Sequence, residues 1–330
     1  MANPKAKAPP IIDFAPFYGN DPTARQNVVD QVRAACLDKG FFQIINHPVP
    51  SSLQDAMFTL AQEFFALPME EKLKDDKDQN DHHRGYEAFR SQAFETSRYP
   101  DLKEAIDFGP DYQSDHPYVK TKRVACGPNL YPQSVGNPEE FQKTVDTYLE
   151  TTLRLADDVL KVLALSLGLH AEYFAEFSKN RLATVKMLHY PAQDPVVVDD
   201  GERGISAHTD FGFVTLLMQD DAGGLQVWDK DTDSWLDVTP IKGAYVVNLG
   251  DCMRRWTNDR YSSGLHQVIN KSGKARYSIA CFHAGNPDYV VKCLPECVGD
   301  EGEKYPPVKV HDYITERYND TYGRAAALNA

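Results

Sequence analysis

The chain has 330 residues, of which 42% are hydrophobic and 25% charged, a composition typical of globular proteins with a sizeable core. Its 48 acidic and 35 basic residues give a formal net charge of −13, which disfavours nucleic acids and anionic membrane surfaces as partners. There is no apolar run of about 18 residues and no apolar stretch behind the first ten residues, so we expect neither a membrane span nor a secretion signal.

Six cysteines are scattered through apolar sequence without the paired spacing of a zinc site. We expect free thiols in a reducing compartment and therefore predict a cytoplasmic protein. The sequence gives no indication of the oligomeric state.

The first half of the chain predicts helices joined by a few short strands. Apolar residues at helical spacing follow Pro22, which suits a first helical turn, and Gly40 can end that helix. The charged stretch 74–84 is expected to be an exposed loop. Strands are predicted at 11–14 and 41–46, and further helices at 51–65, after Pro68 and at 138–167. The last of these would be about 45 Å long, enough to back an entire sheet.

From residue 183 the pattern changes to alternating or short apolar runs, broken by Gly, Pro, Asp and Asn. Many short strands in succession favour a barrel or jelly roll, with the earlier helices packed outside it. The predicted strands are 183–190, 213–218, 224–228, 243–249, 265–270 and 275–284, followed by a final helix at 308–322.

A candidate metal site begins with His208-Thr209-Asp210, directly before the predicted strand 213–218. On an extended backbone residues i and i+2 point to one face, so the imidazole and the carboxylate converge. Such a triplet alone is weak, since about one is expected by chance in this length. His266 is the best candidate for a third ligand, although a hydrogen-bonded core histidine is the plainer interpretation of it taken alone. Two histidines and one carboxylate suit Fe(II), with three coordination positions left open.

Arg276 and Ser278 lie ten and twelve residues beyond His266, again at i and i+2 on a predicted strand. A buried arginine is costly unless it meets an anion, and its planar fork matches a carboxylate. The pair therefore indicates a site for an anionic ligand. A structural salt bridge between Arg276 and a protein carboxylate remains the alternative.

With these motifs in place, the sequence resembles the iron(II)- and 2-oxoglutarate-dependent dioxygenases of the isopenicillin N synthase type. The core of the likeness is HTDFG at 208–212, the segment 250–268 with its Gly-Asp, Arg-Trp-Thr-Asn and His-Gln-Val, and RYS at 276–278. The likeness extends over nearly the whole chain, through PIIDF (10–14), GFFQIINH (40–47), FFALPMEEK (64–72), RGY (84–86), KEAIDFG (103–109) and GPNLYP (127–132).

This resemblance implies an α+β protein with a mainly β core, a distorted double-stranded β-helix (jelly roll) wrapped by N-terminal helices and backed by the long helix. We expect 1–330 to form one globular unit, with an N-terminal helical segment at 10–135 and the β-helix core at 181–287. The implied cofactors are Fe(II), 2-oxoglutarate as cosubstrate, and O₂.

Position by position, His208, Asp210 and His266 match the family's iron ligands. Arg276 and Ser278 match the residues that hold the far carboxylate of 2-oxoglutarate, and Tyr190 matches a tyrosine that contacts the cosubstrate. The sequence departs from many members at Leu188, where an asparagine would contact the cosubstrate, so that contact is absent or replaced here.

The implied reaction couples decarboxylation of 2-oxoglutarate to oxidation of a small molecule. Hydroxylation is the default, and desaturation or cyclisation depends on the substrate. Phe282 and Arg254 match positions that line the substrate pocket. If 250–258 is extended, Arg254 would face the pocket and bind a carboxylate, as of a free amino or imino acid; its pairing with Asp251 or Asp259 is at least as plausible, and a secondary-metabolite intermediate is another candidate substrate.

Two alternatives remain open at the level of sequence. One is an oxidase that needs no 2-oxoglutarate, because isopenicillin N synthase uses the same Arg and Ser pair for its substrate. The other is a non-catalytic binding protein on the same scaffold, which the intact ligand set disfavours.

Overall fold

The computed structural model describes residues 7–80, 82–94, 99–193 and 203–329. The N-terminal half supplies most of the helices. Its strands are β1 (Ile11–Asp13), β2 (Phe41–Ile45), β3 (Gly85–Glu87) and β4 (Glu104–Phe108). Its helices are α1 (Ala15–Tyr18), α2 (Pro22–Asp38), α3 (Ser51–Phe65), α4 (Met69–Lys72), α5 (Pro117–Lys120) and α6 (Pro138–Ser166).

Local sequence accounts for α2 as predicted. The Asp21 side chain caps the helix by accepting hydrogen bonds from the backbone amides of Thr23 and Ala24. Gly40 follows the helix with a φ of +67°, a conformation that a residue with a Cβ rarely adopts. The buried face consists of the apolar residues identified from the spacing, namely Val28, Val29, Val32, Ala35 and Cys36.

The C-terminal half supplies the β core and the last helix. Its strands are β5 (Leu182–Tyr190), β6 (Ile205–His208), β7 (Val214–Gln219), β8 (Leu225–Asp229), β9 (Ser234–Asp237), β10 (Tyr245–Leu249), β11 (His266–Val268), β12 (Arg276–Gly285), β13 (Val290–Val291) and β14 (Val308–Lys309). Its helices are α7 (Asp251–Trp256) and α8 (Val310–Asn329), so the final helix continues beyond its predicted end.

Two sheets form the jelly roll. The larger has eight strands in the order β1-β2-β10-β7-β12-β5-β4-β3, and the smaller has four in the order β6-β11-β8-β9. A small apolar core joins them, because Leu188 and Ala280 of the larger sheet cluster with Val227 and Val268 of the smaller. The predicted fold class is confirmed.

The helices cover the outer face of the larger sheet. Residues Ile279 and Cys281 of β12 alternate with the inward-facing ones and join the main core, which also contains the apolar face of α6. Both α3 and α6 contact β12. The long helix therefore backs the sheet, as the sequence predicted.

The prediction of an exposed loop at 74–84 is right for Lys74, Asp78 and Gln79 but wrong for Lys77 and Arg84. Residues 73–75 and 77–79 form short 3₁₀ turns, and the side chains of Lys77 and Arg84 are buried. Lys77 is buried because its ammonium group pairs with Glu87 at 2.5 Å, a partner that the local charge pattern does not reveal. Within the described ranges, no helix combines the length and the apolar character needed to cross a bilayer.

Candidate metal centre and active site

Strand pairing brings the three candidate metal ligands together. His208 ends β6 and His266 begins β11, and the antiparallel register of these strands sets the two residues directly opposite each other. Asp210 follows two residues after His208, with its Oδ1 3.6 Å from Nε2 of His208 and 3.7 Å from Nε2 of His266. The ligand atoms of the three residues all lie within 4.8 Å of one another.

Hydrogen bonds fix the orientation of each ligand. Nδ1 of His208 donates to the carbonyl oxygen of Ser206 at 2.8 Å, and Nδ1 of His266 donates to that of Gly264 at 2.9 Å. A carbonyl can only accept, so Nδ1 carries a proton in both rings, and Nε2 is the nitrogen left to bind a metal. Both Nε2 atoms thus face the Asp210 carboxylate.

The Asp210 carboxylate is held by its other oxygen. Oδ2 accepts hydrogen bonds from the Asn248 amide at 2.7 Å and from the Thr215 hydroxyl, which leaves Oδ1 directed toward the histidines. Asn248 and Thr215 pair directly across β10 and β7, so the sheet register supplies both donors. The sequence analysis missed both residues, although an asparagine in the apolar strand YVVNL was a usable signal.

The charge states suit a divalent cation. Burial raises the pKa of the Asp210 carboxyl, but its contacts with His208, His266 and Thr215 outweigh burial and hold the pKa below its ordinary value. Burial and the neighbouring His208 lower the pKa of His266 to about 4. One carboxylate and two imidazoles form a donor set that fits Fe(II).

Arg276 is fully buried at the start of β12. Its guanidinium donates hydrogen bonds from Nε to the Gly223 carbonyl at 2.6 Å, from Nη1 to Oγ of Ser278 at 3.1 Å, and from Nη2 to Oε1 of Gln219 at 3.1 Å. The guanidinium carbon lies 4.7 Å from the ring centroid of Tyr190, the residue of β5 that pairs directly with Arg276.

All of these hydrogen-bond partners of Arg276 are uncharged groups. It forms no ion pair with a carboxylate in the part of the chain that the structure describes. The salt bridge considered from the sequence is therefore not found there. The Asp220 carboxylate interacts with Arg276 electrostatically but forms no direct ion pair with it, so a ligand carboxylate can still pair with the guanidinium.

The predicted strand at 250–258 is wrong. Asp251–Trp256 forms the short helix α7, so Cys252 and Trp256 share its buried face and Arg254 points elsewhere. The helix forms because β10 ends at Leu249 and the next amides turn back to bond the carbonyls of the 210–212 loop.

This corrects the geometry assumed for Arg254. Its side chain is 38% exposed, with Nη2 3.6 Å from Asp251 and Nε 3.9 Å from Asp259. Arg254 is also absent from the lining of the cavity beside the metal ligands. Arg254 thus lies where the alternative interpretation expected it, beside Asp251 and Asp259.

A cavity of about 110 Å³ adjoins His208 and Asp210. Phe282 lines it, and Phe94 stacks on the His208 ring with centroids 4.1 Å apart. Arg276, Ser278 and Tyr190 are not among the residues that line it. Its other apolar lining residues include Leu188, Ile205, Phe211, Ala284 and Ile314, and its polar ones include Gln92, Lys103, Thr184, Lys186, Tyr318 and Tyr322.

The chain matches two family models. Residues 9–134 match the N-terminal domain described as non-haem dioxygenase in morphine synthesis, and residues 183–285 match the 2OG-Fe(II) oxygenase superfamily.

Named relatives cover nearly the whole chain. A 2-oxoglutarate-Fe(II) type oxidoreductase of Emericella nidulans is 50% identical over 97% of this chain and 92% of its own. A 2-oxoglutarate-dependent dioxygenase of Monascus ruber is 41% identical, with 95% of each chain covered. Clavatol oxidase of Penicillium crustosum is 35% identical over 95% of this chain and 96% of its own.

Solved structures agree with these matches. A full-length Neurospora crassa protein crystallised in complex with alpha-KG and thymine superposes with a TM-score of 0.81 at 28% identity, covering 97% of this chain and 96% of that chain. These relatives favour neither a 2-oxoglutarate-independent oxidase nor a non-catalytic scaffold. The chain belongs to the 2OG-Fe(II) oxygenase superfamily and is a 2-oxoglutarate-dependent dioxygenase.

Proposed function

We propose that His208, Asp210 and His266 bind the catalytic Fe(II), and that Arg276, Ser278 and Tyr190 bind the distal carboxylate of 2-oxoglutarate. The observation that carries the second assignment is a fully buried Arg276 whose hydrogen-bond partners are all neutral. A dicarboxylate fits such a site, because one end can reach the metal while the other neutralises the guanidinium.

The iron, when bound, would activate O₂ for oxidation of the substrate. The chain's own residues would bind the iron and the cosubstrate and hold them in position. Asn248 and Thr215 hold Asp210 in place, and the ring of Phe94 stacks on the ring of His208. The ring of Tyr190 lies against the Arg276 guanidinium and helps to hold it in position.

We infer that the substrate is a small ring compound bound in the cavity lined by Phe94, Phe211 and Phe282, and that the reaction is hydroxylation. A cavity of about 110 Å³ suits one ring rather than a fused polycycle. The aromatic side chains offer flat surfaces for stacking. Thymine in the Neurospora crassa structure and clavatol in the name of the Penicillium enzyme are consistent with ring substrates. The expectation of a free amino acid is weakened, because it depended on an extended Arg254.

The test is aerobic incubation of the iron-loaded enzyme with 2-oxoglutarate and a panel of single-ring compounds. Succinate release and a product heavier than the substrate by one oxygen atom are expected together. Removal of iron with a chelator should abolish both. Substrate oxidation without succinate would contradict the assignment of 2-oxoglutarate to the Arg276 site.

We also propose a cytoplasmic location, supported by six cysteines that are all free thiols. Cell fractionation would test it, and recovery in a secreted fraction would contradict it. That nucleic acids and membranes are not partners stays a prediction from the net charge.

A further inference from the structure

The cavity beside the metal ligands has two unlike walls. One is apolar and aromatic, with Phe94, Phe211 and Phe282. The other contains the side chains of Lys103 and Lys186, both buried. A lysine is almost never buried without a partner, so both lysines must have charged partners in the interior.

Both lysines belong to a buried charged cluster around Glu87. One Glu87 oxygen pairs with Lys103, and the other lies 2.5 Å from Lys77 and 2.8 Å from Lys186. The Tyr322 hydroxyl donates to the same carboxylate at 2.8 Å. Burial raises the pKa of Glu87, but the three lysines outweigh burial and hold it well below its ordinary value. Glu87 is therefore ionised and its hydrogen-bonding capacity is filled.

Further buried charges lie near the lysines. Asp107 lies 3.3 Å from Lys186. Arg84 is buried near Asp107, and Asp101 is buried near Lys103. Burial lowers the pKa of Lys77 and Arg84 and raises that of Asp101.

The lysines on the cavity wall have donors to spare. An ammonium group carries three N–H donors. In the described residues, Lys103 Nζ pairs with Glu87, and Lys186 Nζ pairs with Glu87 and Asp107. A group in the cavity can therefore accept a hydrogen bond from either lysine, and an anionic acceptor would make the stronger bond.

We propose that the substrate carries a carboxylate on its ring, and that Lys103 and Lys186 bind this carboxylate while the ring lies against Phe94, Phe211 and Phe282. The inference rests on the proposed function, since it names the substrate class of the same site. It makes the two lysines specificity-determining residues, because an ammonium group makes a stronger hydrogen bond to a carboxylate than to a neutral acceptor.

Benzoate and benzamide are suitable probes, because they share size and shape and differ in charge. Their affinities are measured by calorimetry on the protein loaded with Fe(II) and saturating 2-oxoglutarate without O₂. We expect benzoate to bind about tenfold to a hundredfold more tightly than benzamide, the scale of one hydrogen bond to a charged group. Retention of 2-oxoglutarate is followed in the same samples.

Lys103→Met should remove most of this preference. Lys77→Met is the matched control, because Lys77 pairs with the same Glu87 carboxylate but does not line the cavity, and it should retain most of it. If Lys103→Met lowers the melting temperature so far that the variant is unfolded, Lys186→Met takes its place. The preference of the unaltered protein for benzoate over benzamide tests the proposal in either case.

Four results would overturn the proposal: benzamide binding as tightly as benzoate, benzoate failing to bind up to its solubility limit, the preference surviving in folded Lys103→Met, or benzoate displacing 2-oxoglutarate. Binding of 2-oxoglutarate is measured separately without either probe. Its failure would refute the proposed cosubstrate site and leave the preference for benzoate as an independent result.

Discussion

Replacement of Arg276 by lysine is the sharpest test of the cosubstrate site. The guanidinium donates through Nε to Gly223, through Nη1 to Ser278 and through Nη2 to Gln219. Lysine keeps the positive charge but has one nitrogen in place of the planar three-nitrogen fork. It can therefore still attract a carboxylate, but it cannot both keep the protein contacts and hold both carboxylate oxygens.

The expected loss is about one charge-assisted hydrogen bond, roughly 1.5–3 kcal/mol. This corresponds to a rise of about tenfold to 150-fold in the KM and Kd for 2-oxoglutarate. Iron affinity should change little, because Arg276 contacts none of the three metal ligands among the hydrogen bonds and ion pairs of the described residues. We therefore expect a loss of affinity for 2-oxoglutarate with little change in the affinity for iron.

The measurements are 2-oxoglutarate binding by calorimetry, KM from succinate formation, and iron content after dialysis. Arg84→Lys is a matched control, because Arg84 is also fully buried but bonds the carbonyls of Ala125 and Ala183. It should leave the KM for 2-oxoglutarate within about twofold. An unchanged KM in Arg276→Lys, or an equal rise in both variants, would refute the assignment.

Three further predictions address the metal centre and helix α7. His208→Ala, Asp210→Ala and His266→Ala should each abolish succinate formation while the melting temperature stays within a few degrees, and full iron-dependent activity in any one variant would remove that residue from the site. Asn248→Ala should weaken iron binding by about tenfold to a hundredfold, because it releases one oxygen of the metal-binding carboxylate; an unaltered iron titration would show that the amide is dispensable. Arg254→Gln should leave the substrate KM within about twofold, because this side chain lies outside the cavity, and a tenfold increase would restore a substrate role for it.

Short-range patterns in the sequence predicted much of the fold and the metal site. The alternation of apolar residues and the caps located α2, α3, α6 and most strands of the core. The i and i+2 rule placed His208 beside Asp210 and Arg276 beside Ser278, and the structure brings each pair together. The roles of these residues, and the domain boundaries at 10–135 and 181–287, stay predictions.

Local patterns were ambiguous where the chain is short and its partners are distant. In 250–258, Cys252 and Trp256 are four residues apart, a spacing that fits both a strand face and one turn of helix. The choice was made by the carbonyls of the 210–212 loop, which accept hydrogen bonds from the amides of Asp251 and Cys252. As a result, the sequence analysis predicted the wrong direction for the Arg254 side chain.

The sequence by itself determined which residue types can bind a metal and a dicarboxylate, because His208 and Asp210, and likewise Arg276 and Ser278, are only two residues apart, whereas His266 joins them through the pairing of β11 with β6. Only the tertiary structure decided the charged wall of the cavity beside His208 and Asp210. Lys186 meets Glu87 across 99 residues of chain, and Lys77 is buried although its segment is as charged as an exposed loop. Whether a charge is buried depends on partners that distant strands supply, and no local spacing records them.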